Sequence, residues 1–177
     1  MFYVLMGFRL TVALVFISSG IAKCYSINST QAMWIALLKR FWPSAIAWAK
    51  GASWVLAIGE VIVGATLLFD SVAVYPALIA ATALLLAFTA VAAFSARTNF
   101  KISCACFGRG VAQLGWRHVW RNLALLTLVS AAMLGASHLP DKSASIGGAG
   151  IALFAALVVT ILTTFYDDII DFLNEDH

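Results

Sequence analysis

VAVYPALIAATALLLAFTAVAAFSA, residues 72–96, runs for 25 positions without a charged side chain. An α-helix rises about 1.5 Å per residue, so about 20 apolar residues cross the hydrocarbon core of a bilayer. Lipid offers the backbone no hydrogen-bond partners, and a helix satisfies its own N–H and C=O groups internally. The stretch therefore predicts a membrane-spanning helix. Just before it, Asp70-Ser71 predicts a tight turn, and residues 53–69 form another apolar run broken only by Glu60. Those two runs make an antiparallel hairpin. Three more stretches qualify: residues 4–22 with Arg9, residues 119–136 with Arg121 near the start, and residues 146–166 with a Gly-rich entry. The expected fold class is all-α, a polytopic membrane helix bundle of five spans.

The rest of the chain agrees. Of 177 residues, 63% are hydrophobic and 11% charged, and the mean hydropathy is +0.97. A water-soluble domain is about a quarter charged, so this chain has too little charge to coat a soluble surface. The net charge of +3 comes from loop cations of the kind membrane topology requires, with no Lys/Arg run long enough to hold nucleic acid. The first five residues lack a charged leader, and no small-residue cleavage site follows, so the first helix is read as retained. No phosphate loop, H-E-x-x-H or G-x-S-x-G sequence is present. One domain, residues 1–177, is expected.

The loops set the orientation. Lys23, Lys39, Arg40, Lys50, Arg97, Lys101, Arg109, Arg117 and Arg121 fall on one side, against Arg9 and Lys142 on the other. Positive loops stay in the cytoplasm. This places the N-terminus outside and the residue 97–118 loop inside a bacterial inner membrane. The acidic stretch 167–177 has little weight in that rule. Residues 32–41 suit an amphipathic helix in the headgroup region. Trp34, Trp42 and Trp48 suit interfacial anchors. Gly59 and Gly64, with Ala65, offer small surfaces for close helix contact.

The candidate chemistry lies in Cys104-Ala105-Cys106. A disulfide across one intervening residue departs from relaxed geometry and is easily reduced. Lys101, Arg109 and Arg117 favour the attacking thiolate. The pair reads as catalytic for thiol exchange, as soft ligands for Cu(I) or zinc with His118, or as incidental thiols. Cys24, just past the first helix, is either a resolving thiol or a lone interfacial cysteine. Glu60 lies in the middle of its helix and must be paired or protonated there. Arg9 is the expected partner at matching depth and Lys23 the second candidate. The pair is read as a structural bridge, a proton site or a quinone contact. Arg121 is expected to snorkel as an anchor, and Asn122 to hydrogen-bond a neighbouring helix.

Ordered motifs then carry a family likeness. Arg9-Leu10 is followed by Phe16, Gly20 and Lys23, and Gly59-Glu60 by Gly64 and Leu67-Leu68. Cys104-Ala105-Cys106-Phe107-Gly108 comes next, then Trp116 and Arg121-Asn122-Leu123. This order resembles the methylamine-utilisation MauE family, within the wider DoxX-like group of small four-helix membrane proteins. The likeness covers about residues 8–134. It implies a four-helix core with the helix at about 146–166 as a fifth, C-terminal addition. Ala105 stands where that family usually has Gly, and Cys24 has no counterpart in it. The resemblance also implies an accessory protein for maturing a secreted client, such as the small subunit of methylamine dehydrogenase. Composition makes membrane lipid a partner and nucleic acid none. A thioredoxin-like protein is expected because the chain has no soluble redox domain of its own; the secreted client is the other expected partner, and no cofactor is expected. A scaffold or export subunit and a Cu(I)-handling protein stay open as alternatives.

Overall fold

The computed structural model describes residues 2–69, 73–98, 103–104, 112–113, 115–138 and 145–166. Helix α1 spans Phe2–Tyr25 and α2 spans Ile27–Phe41. A 3-10 segment, Pro43–Trp48, leads into α3, Ala49–Leu68. Next come α4, Val74–Thr98, and a short antiparallel hairpin of β1, Ser103–Cys104, with β2, Ala112–Gln113. Helices α5, Trp116–His138, and α6, Ile146–Thr164, complete the order. The architecture is an all-α polytopic bundle.

Among the described residues, four helical stretches are long and apolar enough to cross a membrane: Phe2–Tyr25, Pro43–Leu68, Val74–Thr98 and Gly147–Thr164. Helix α5 has 23 residues, about 35 Å at the helical rise, but it is not among the four. Its first two turns carry Arg117, His118, Arg121 and Asn122. It nonetheless runs the length of α1, since Arg121 lines a cavity with Lys23 while Gly135 packs on Leu5. The amphipathic helix begins at Ile27, earlier than residue 32, and its inner face packs into the bundle. Met33, with Trp34 and Leu37, meets Ala92 and Val119.

Helix α1 is the centre of the bundle. It lies antiparallel to α3 and α5 and parallel to α6, as residue-level neighbours show. Its contact with α3 is close because two glycines face it. A Cβ on Gly20 would sit 2.8 Å from the Ala57 carbonyl oxygen, and one on Gly64 would sit 2.7 Å from the Ala13 carbonyl oxygen. Small residues let membrane helices approach to backbone contact, where dispersion and packing hold them. Gly59 was expected to share this role but has nothing within 4 Å. It lies five residues from Gly64, on another face of a 3.6-residue helix. The apolar core is built from Val12, Phe16, Leu67, Leu78, Leu85, Leu125 and Val129, drawn from α1, α3, α4 and α5.

Helix α6 docks on the outer side of α1. Ser145 caps it, its Oγ accepting from the Gly148 N–H at 3.3 Å. The Ser145 backbone N–H donates to the Tyr3 hydroxyl at 3.0 Å, tying the cap to α1. Ala152 and Ala156 bury against Leu10, Met6 and Leu14.

Candidate functional site: a polar cluster inside the bundle

Apolar helices leave few polar side chains, and the fold gathers several of them in one place. Lys23, near the end of α1, is 1% exposed, and Glu60, on α3, is 2% exposed. The Lys23 ammonium donates to Glu60 Oε1 at 2.9 Å and Oε2 at 2.7 Å, and to Ser19 Oγ at 2.5 Å. An ammonium has three protons, so all three are placed. Lys23 Nζ also lies 5.0 Å from the centroid of the Phe88 ring on α4, within cation–π range.

Beside this pair is a cavity of about 40 Å³, room for roughly three waters. Helix α1 contributes Ser19 and Lys23, α3 Glu60, and α5 His118, Arg121 and Asn122. Phe16, Leu85, Phe88 and Leu125 form the apolar wall. The three α5 residues sit on one face because positions 118, 121/122 and 125 repeat at helical spacing. Their side chains are 6–7% exposed. An ammonium, a carboxylate, an imidazole, a guanidinium, an amide and a hydroxyl around one small space can hold and pass protons. They can equally hydrogen-bond a small polar ligand.

The expected partner of Glu60 needs correction. Lys23 takes that place, and Arg9 does not. The Gly20 and Gly64 contacts set the α1–α3 register so that Lys23 is level with Glu60. Arg9, fourteen residues earlier on the same helix, lies about 21 Å further along the axis. Arg121 also departs from expectation. It is turned into the bundle, 7% exposed, where a snorkelling anchor would reach the interface. His118 is buried rather than interfacial. Trp42 and Trp48 are exposed, as anchors should be, whereas Trp34 is half-buried.

The cysteines are only partly described. Cys104 stands in β1 opposite Ala112, and β1 packs against α2, at the end of the bundle that holds Lys23. Cys106 lies outside the described residues, as do Lys101 and Arg109. Cys24 is half-buried with a free thiol, directly after Lys23. Among the described residues no three His, Cys, Asp or Glu side chains gather to hold a metal.

A helix bundle with four stretches, among the described residues, apolar enough to cross a membrane and with an ion pair buried in its core defines the class: a multi-pass membrane protein built around a buried polar site. The chain belongs to the family of the methylamine utilisation protein MauE, whose family model matches residues 1–136. Membership implies an accessory membrane protein of methylamine utilisation. The match runs from α1 almost to the end of α5 and stops short of α6. No curated protein and no solved structure matches the chain.

Proposed function

We propose that the chain is an inner-membrane maturation factor that handles thiols or disulfides for a secreted client. The observation that carries the reading is the β1–β2 hairpin. Cys104 is the last residue of β1, and the hairpin holds its backbone against α2, at the bundle end where the buried polar cluster begins. In the reaction, Cys104 and Cys106 as dithiol reduce the disulfide of a thioredoxin-like partner. One intramolecular S–S bond forms, the partner's S–S bond breaks, and two electrons and two protons move to the partner. The reverse direction reduces the pair. Cys24 is assigned the place of a resolving thiol, and the Lys23–Glu60 pair with its cavity that of a proton site. The N-terminus is outside and the hairpin cytoplasmic.

Serine at either Cys104 or Cys106 is expected to abolish client maturation without reducing membrane insertion. Side-resolved thiol labelling, before and after reduction, checks this in intact cells and inverted vesicles. Labelling of both cysteines only after reduction supports the cycle. Normal maturation in the double serine variant sinks it. The alternative is a non-catalytic scaffold or export subunit. It is favoured by the placement of all three Lys23 protons in fixed contacts, an arrangement suited to bracing helices. Maturation that tolerates both serines but fails when the α1–α3 contact is disturbed selects it.

A further inference from the structure

The end of the bundle that holds Lys23 has an outer surface quite unlike the other. Lys39 and Arg40 close α2, Lys50 opens α3 and Arg97 closes α4, all of them exposed. Among them stand Phe41 at 61%, Trp42 at 69% and Trp48 at 75% exposure. At the opposite end, the described residues include no exposed Lys or Arg.

Two ring contacts draw part of this surface into a single site. The Phe41 ring lies 5.4 Å from the Phe94 ring, which joins the last turn of α2 to the next-to-last turn of α4. One turn on from Phe94, the Arg97 guanidinium lies 5.9 Å from the centroid of Trp116. Arg40, next to Phe41 at the end of α2, and Arg97, on α4, thus stand on two helices that meet at the Phe41–Phe94 contact. The only carboxylate among the described residues is Glu60, buried on Lys23, so no described acid competes for these guanidiniums.

We infer that this site binds the headgroup of an anionic phospholipid. A guanidinium presents paired donors that match phosphate oxygens. Exposed tryptophans settle at the headgroup level of the interface, and a basic cluster beside membrane helices draws anionic lipid at about 1 kcal/mol per cation. The lipid would span the α2–α4 junction and brace the helix that packs against the Cys104 strand. The inference does not depend on thiol chemistry.

The test uses the full-length protein in detergent, with native mass spectrometry and thermal unfolding in the presence of phosphatidylglycerol or phosphatidylcholine. Phosphatidylglycerol is expected to be retained preferentially and to raise the unfolding midpoint. The R40Q/R97Q double variant is expected to lose that retention by about thirty-fold, from two cations at the value above. The R40K/R97K variant keeps the charge but loses the paired donors, and is expected to bind at a level between the wild type and R40Q/R97Q, which separates loss of the site from loss of the fold. Equal retention of both lipids by the wild type overturns the assignment. So does unchanged phosphatidylglycerol binding in R40Q/R97Q.

Discussion

The residue whose placement matters most is Lys23. Its ammonium and the Glu60 carboxylate are withdrawn from solvent together, and each makes the other's burial tolerable. Removing one partner of such a pair leaves a bare charge in a medium that solvates it poorly, at about 3–5 kcal/mol, whereas replacing both with apolar residues is often neutral. Lys23→Met and Glu60→Gln are therefore each expected to lower the unfolding midpoint in detergent sharply, and Lys23→Met/Glu60→Leu to recover most of it. Single variants as stable as the wild type would show that the pair does not hold the bundle together. The sequence marks Glu60 clearly, because a carboxylate in mid-helix is expensive and must be answered. It does not identify the answering residue. Arg9 and Lys23 are both cations on α1, and only the register between α1 and α3 separates them. Arg121 shows the same limit: its position near a helix start suggests the interface, and its rotation about the helix axis turns it inward.

At the scale of the elements, the α1–α3 seam is the decisive contact. A methyl group at Gly20 or Gly64 would meet backbone carbonyl oxygens closer than 3 Å, and a backbone cannot yield as a flexible side chain can. Gly20→Ala and Gly64→Ala are each expected to cost about 1–3 kcal/mol from overpacking. They should also loosen the Lys23–Glu60 register. Gly59→Ala faces open space and gains helix propensity of up to about 1 kcal/mol, so it should be neutral or slightly stabilising. Chemical denaturation of the three variants side by side checks the contrast. If Gly59→Ala is the harmful change, the seam has been assigned to the wrong face. At α6, Tyr3→Phe removes the hydroxyl that accepts from Ser145 and is expected to loosen that helix by about 1 kcal/mol. Its signature is faster proteolysis between α5 and α6 in reconstituted protein. The helices themselves were legible from apolar run length. Their ends were less so: α2 and α5 begin earlier than the hydropathy indicates, because polar residues in the first turn are still helical.

For the whole molecule, the directions of packing fix how the ends relate. Helix α6 runs parallel to α1, with Gly148 against Tyr3 and Ala152 beside Gly7. Its C-terminal end therefore lies toward the Lys23 end of the bundle, with the Cys104 strand. Reporter fusions after residue 177 and before residue 1 are expected to land on opposite sides of the membrane, and Cys104 to share the side of the C-terminus. Finding both termini on one side would mean that α5 does not cross. By itself the sequence determined that this chain lives in a bilayer, that its helices fall where charge-free runs fall, and that a thiol pair sits in its most basic loop. Those properties depend on local composition and length, which any window of the chain displays. Only the tertiary structure decided that Lys23 answers Glu60, that Gly20 serves the seam and Gly59 does not, and that His118, Arg121 and Asn122 face a common cavity. Each of these depends on the rotation and axial register of one helix against another. Many small contacts spread over distant parts of the chain set that register, and no single stretch of sequence contains it.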